Sequence, residues 1–74
     1  MKKYNRIIRI SASKRFGKPC IRDTRISVSD VLGWLGSGMS FEDILADYPE
    51  LTKEDIRACL LFASDRERKL QVSE

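Results

Sequence analysis

Charge recognition is the chemistry this chain can offer, because none of its 74 residues is histidine. Without an imidazole, the usual general base, the usual zinc ligand and any Ser–His or Cys–His nucleophile are missing. Cys20 and Cys59 are far apart and form no C-x-x-C pair, so neither zinc nor a dithiol redox motif is indicated. Gly33, Gly36 and Gly38 lack the Lys-Ser/Thr signature of a phosphate loop. The acids Asp43, Asp47, Glu54 and Asp55 read as helix-start and surface charges. A non-enzymatic protein with no cofactor, no metal and no small-molecule substrate is the expectation. The basic residues are another matter. Lys18, Arg22 and Arg25 fall within Gly17-Lys18-Pro19-Cys20-Ile21-Arg22-Asp23-Thr24-Arg25-Ile26, and a guanidinium can hold a phosphate or carboxylate through two parallel hydrogen bonds. The other role open to Arg22 and Arg25 is structural: bracing the ends of helices from a turn–strand–turn.

The distribution of charge favours a polyanionic partner. Residues 1–25 hold Lys2, Lys3, Arg6, Arg9, Lys14, Arg15, Lys18, Arg22 and Arg25 against the single acid Asp23, a net charge of +8. Residues 26–74 hold five basic residues against ten acids, or −5, and the overall +3 conceals this division. Like charges gathered in one segment repel unless a partner neutralises them. Nucleic acid and an acidic protein surface are the two candidates.

Three short repeats define the elements that carry these charges. Ile26-Ser27-Val28-Ser29-Asp30-Val31, Met39-Ser40-Phe41-Glu42-Asp43-Ile44 and Leu51-Thr52-Lys53-Glu54-Asp55-Ile56 share one pattern. In each, a Ser or Thr can cap the first helical turn, an Asp three residues on can return a bond to the cap's amide, and apolar residues flank the pair as a hydrophobic staple. Three consecutive helices are predicted, beginning after Ser27, Ser40 and Thr52. The first presents Val28, Val31, Leu32 and Leu35 on one face and stops at Gly36 and Gly38. The second turns Phe41, Ile44 and Leu45 inward and ends before Pro49. The third has Ile56, Cys59, Leu60 and Ala63 as its apolar stripe, leaves Leu61 and Phe62 exposed, and runs to about Leu70. Cys59 reads as a small buried thiol.

The preceding stretch Tyr4–Ser11 reads as a strand, with Cys20-Ile21 as a second extended segment. The expected fold is mainly α: one domain over residues 1–74, with a basic strand–turn arm at 1–26 and a helix-turn-helix unit of three helices at 27–70. So small a chain sits at the lower limit of what one core supports. The strand carries apolar residues on both faces, so a homodimer through Tyr4, Ile7, Ile8 and Ile10 is expected. The longest apolar run, Cys59 to Ala63, is too short to cross a bilayer, and no signal-type stretch follows Lys2-Lys3. No membrane association and a cytoplasmic location are the expectations.

The Gly17–Ile26 stretch, followed at the right distances by Gly38-Met39-Ser40, Asp47-Tyr48-Pro49-Glu50-Leu51-Thr52 and Asp55-Ile56-Arg57-Ala58, resembles the domain of unknown function 433 family over roughly residues 5–64. The resemblance implies a homeodomain-like three-helix fold with an N-terminal β segment. It also implies kinship with VapB-type antitoxins, commonly encoded beside a PIN-like ribonuclease toxin. Asp23 stands where Gly is typical and Ser27 where Pro is typical. Asp tolerates a left-handed backbone well enough for the turn to persist, and Ser27 exchanges a helix-start Pro for a cap.

Two functions follow. In the first, the chain is an antitoxin that also regulates transcription by binding operator DNA. The third helix would then lie in the major groove with Lys53, Glu54, Arg57 and Leu61 exposed, while Lys18, Arg22 and Arg25 hold phosphates. In the second, the basic arm covers an acidic toxin site and DNA is never touched. Arg22 and Arg25 lead the candidates for toxin contact in either case, with Arg66 and Arg68 on the last turns of the third helix behind them.

Overall fold

A computed structural model describes residues 3–11 and 17–70. Lys2, Lys14 and Arg15 of the basic segment lie outside the described residues. The architecture is mainly α, as expected: strand β1 (Ile8–Arg9), strand β2 (Cys20–Ile21), then helices α1 (Val28–Gly36), α2 (Phe41–Asp47) and α3 (Lys53–Leu70). The strands pair antiparallel, Ile8 opposite Ile21 and Arg9 opposite Cys20.

All three capping boxes form. Asp30 and Asp43 each donate a backbone N–H to the hydroxyl of Ser27 or Ser40 and accept one in return, at 3.0 to 3.1 Å. Asp55 does the same with Thr52 at 3.2 and 2.9 Å. Each box satisfies two amides that a helix start otherwise leaves without partners. Tyr48, ahead of Pro49, leaves helical geometry at φ −129°, ψ 77°, and closes α2. After α1, Gly38 takes φ +107°, a conformation that suits glycine.

Ile21, Val31, Ile44 and Ile56 are fully enclosed and form the centre of the core. Each such side chain contributes about 1.5–3 kcal/mol by leaving water. Phe41, Leu45, Leu32 and Leu35 are half-buried around it. The N-terminal expectation needs correction. Lys3–Arg6 is a 3-10 turn rather than strand, closed by the Ile7 amide donating to the Tyr4 carbonyl at 2.9 Å. Tyr4 draws it onto α3: its hydroxyl donates to Asp65 at 2.6 Å and its ring meets Phe62 edge-on at 5.4 Å. Tyr4 and Ile8 are thus buried within the monomer, whereas Ile7 is half-buried and Ile10 exposed. The proposed dimer contact through Tyr4 and Ile8 is therefore lost to the protein's own core.

The inner face of α3 keeps Ile56, Cys59 and Ala63 as expected but differs at Leu60, which turns outward, and at Phe62, which turns in. Asp55, Ile56, Ala58 and Cys59 are its buried residues, Phe62 and Ala63 are half-buried, and Leu60 is 41% exposed. Burial pushes the Cys59 thiol up to about 12, with the Asp55 carboxylate adding to the effect.

Candidate functional site

The turn after β2 decides what the arginines can do. Its backbone closes on itself through Ile21 N–H to Ile26 O and Thr24 N–H to Ile21 O, each at 2.9 Å. The Thr24 hydroxyl donates to Ile21 O at 2.6 Å and accepts from the Ile26 amide at 3.1 Å. Arg22, and not Asp23, takes the left-handed conformation here, at φ +43°. A non-glycine residue is held there only by surrounding contacts. They are plain to see: the Arg22 amide donates to Ile7 O at 2.6 Å, and the guanidinium forks onto the Asp55 carboxylate, Nη1 to Oδ1 and Nη2 to Oδ2, the latter at 2.8 Å. Nη2 also reaches the Glu50 carbonyl at 3.3 Å.

Asp55 is 1% exposed, so its single oxygen pair serves two masters, the Thr52 cap of α3 and the Arg22 turn. The hydrogen bonds to Asp55 hold the Arg22 proton more firmly than usual. Arg22 is therefore a structural brace, the bracing role that the sequence left open. Its partner Asp55, read from sequence as a surface charge, is the buried residue that makes the brace possible.

With Arg22 committed, the other cations sort by position. Arg9 from β1 and Lys18 from the segment before β2 line one recess of about 240 Å³ together with Ser11, Cys20, Arg22 and Asp23. Arg25 is exposed on the adjoining turn. Asp55 answers the charge of Arg22, so Arg9 and Lys18 against Asp23 leave this recess with one positive charge in excess. Arg9 was visible in the sequence only as part of the charge count; the antiparallel pairing of Arg9 with Cys20 is what delivers it to Lys18.

Lys53 and Arg57 are elsewhere, exposed on the outer side of α3 beside Glu54 and Leu61. Arg66 and Arg68 are exposed near its C-terminal end. Arg66 lies over the Phe62 ring at 5.5 Å, a cation–π contact, and Arg68 approaches Asp65 at 3.8 Å. Lys18, Arg66 and Glu67 also line a second groove of about 420 Å³, together with the apolar Pro19, Val28, Leu32 and Phe62. The arrangement thus separates the candidates into a basic recess, an apolar groove bordered by two cations and one acid, and an outer helix face. Among the described residues, no cluster of three or more His, Cys, Asp or Glu side chains is placed to hold a metal ion, and no helix is long and apolar enough to cross a membrane.

The model of a protein family described as of unknown function, DUF433, matches residues 8–63, about three-quarters of the chain. The chain belongs to the DUF433 family. A solved structure of a DUF433 member from Anabaena variabilis ATCC 29413 is similar to it at 29% identity with a TM-score of 0.81. The alignment covers 88% of this chain and 64% of that one, so the present chain spans just under two-thirds of that protein's length. No curated protein matches. In this DUF433 chain, the motif residues Arg22 and Asp55 that carried the resemblance are the two halves of one brace, buried at its Asp55 end.

Proposed function

We propose that this DUF433 domain is a non-catalytic, antitoxin-type nucleic-acid-binding regulator that grips the phosphate backbone of DNA with its strand–turn face. The observation that carries the reading is the convergence of Arg9 and Lys18 on one electropositive recess beside the Arg22 turn, with Arg25 exposed alongside. Phosphate contacts of this kind position a protein on a duplex and need no base readout. The Arg22–Asp55 brace supports it by tying the recess rigidly to the start of α3, which limits the ordering cost of binding. Lys53 and Arg57 do not belong to this grip; their helix face mixes charges of both signs around exposed leucines.

A protein partner is favoured by a different observation, the apolar groove lined by Lys18 and Arg66 against the single acid Glu67. An apolar segment flanked by acids fits it. The acid-rich mouth of a PIN-like ribonuclease toxin is the partner proposed for Arg66, Arg68 and Lys18. The test is retardation of the duplex upstream of the protein's own gene. Binding that disappears in Arg9→Glu/Lys18→Glu, while Arg57→Ala retains it, supports the reading; a duplex left unshifted by the parent chain at low salt overturns it.

A further inference from the structure

We infer that the outer face of α3 is a homodimer interface, in which the helix packs antiparallel against the same helix of a second copy. This goes beyond the nucleic-acid reading and stands independently of it. Leu60 and Leu61 are 41% and 49% exposed in the middle of an 18-residue helix. Ile7 and the stem of Arg57 extend that apolar surface around a shallow recess next to Leu61. A core this small gains from having such a surface covered.

The charges identify the covering partner. Lys53, Leu60 and Glu67 are seven residues apart, two helical turns, and form one flank of the face; Glu54, Leu61 and Arg68 form the other at the same spacing. All six are exposed. A two-fold axis midway between the two helices, perpendicular to their common plane and level with the Leu60–Leu61 step, sets each flank against its own copy in reverse direction. Leu60 then meets Leu60 and Leu61 meets Leu61. Lys53 faces Glu67 of the second copy and Glu54 faces Arg68 of the second copy, and symmetry repeats both pairs. Arg57, at the centre of the face, falls opposite Ser64. A parallel dimer would instead set Arg57 against Arg57, a like-charge contact at the seam. The Arg68–Asp65 approach within one chain is a weak exposed contact at 3.8 Å and leaves the guanidinium able to turn. Asp55, which anchors the Arg22 turn, lies about 140° around the helix from Leu60, so the basic recess of each copy stays open.

Sedimentation equilibrium of the full chain, without nucleic acid, tests the inference. The parent chain is expected at twice its 8.5 kDa monomer mass at micromolar concentration, and Leu60→Lys/Leu61→Lys at the monomer mass with its helical circular dichroism intact. Glu54→Lys alone and Arg68→Glu alone should each weaken association about tenfold, because each breaks two symmetry-related pairs. Combining them in one chain restores both pairs in the antiparallel arrangement and recovers the parent affinity. A monomeric parent, a dimeric leucine variant, or a double reversal no tighter than the single ones would each overturn the inference.

Discussion

Arg22→Ala is expected to cost this domain about 3 kcal/mol. The substitution deletes a two-point guanidinium–carboxylate contact and strands Asp55, which is 1% exposed, with its helix-start bond alone. Removing one partner of a fully buried pair costs about 3–5 kcal/mol. The Arg22 side chain is itself 39% exposed, and solvent screening on that side lowers the figure. A domain of 74 residues has a total stability of roughly 4–11 kcal/mol at the usual density per residue. The variant should therefore lose much of its margin, with Tm falling by roughly 12–24 °C. Arg22→Gly separates the two parts of the effect. It loses the same contact but relaxes the φ +43° backbone, so it should be more stable than Arg22→Ala by about 1 kcal/mol. Urea denaturation followed by the fluorescence of Trp34, stacked on Tyr48 at 4.3 Å, reads both. A midpoint for Arg22→Ala within error of the parent, at unchanged m-value, would refute the brace.

The cap and the buried thiol give two further expectations. Thr52→Ala should lower stability by about 1 kcal/mol, since it removes the hydroxyl acceptor of the Asp55 amide; an unchanged thermal melt would contradict that. The Cys59 thiol, pushed from an ordinary 9.0 to about 12, resists ionisation in the folded state only. Its raised value favours the fold fully below pH 9 and is lost as pH rises toward 12. Tyr4 acts in the same direction, because its hydroxyl donates to Asp65 and its pKa is raised above 10.0. Alkaline unfolding above pH 9 should be delayed in Cys59→Ala relative to that variant's own stability at pH 7. Parallel pH profiles for parent and variant would show that the thiol plays no part.

The helices were legible because a hydroxyl followed three residues later by Asp is a local signal, and Ser27, Ser40 and Thr52 all obey it. What failed was decided over long distances. Tyr4 sits in an alternating pattern that reads as strand, yet Asp65 and Phe62, some sixty residues on, pull it into a 3-10 turn. Arg22 stayed open between brace and phosphate contact because its partner is 33 residues away. Asp55 looked like surface because a carboxylate is ordinarily wet; on the inner face of α3, Ile56, Cys59 and Ala63 lie where their spacing put them, and Leu60 alone of that stripe turns outward. Arg9 and Lys18 meet only through strand pairing, which residue spacing does not disclose.

The salt dependence of DNA affinity tests the central claim most directly. Fluorescence anisotropy of a labelled duplex from the upstream region, titrated over a series of salt concentrations, gives the slope of log K against log salt. Each phosphate contact contributes about 0.9 to that slope on B-form DNA. Arg9→Gln/Lys18→Gln should therefore flatten it by about two contacts' worth, while Lys53→Gln/Arg57→Gln leaves it where the parent has it. A slope unchanged by the first pair and flattened by the second would place DNA on the outer face of α3 and contradict the account.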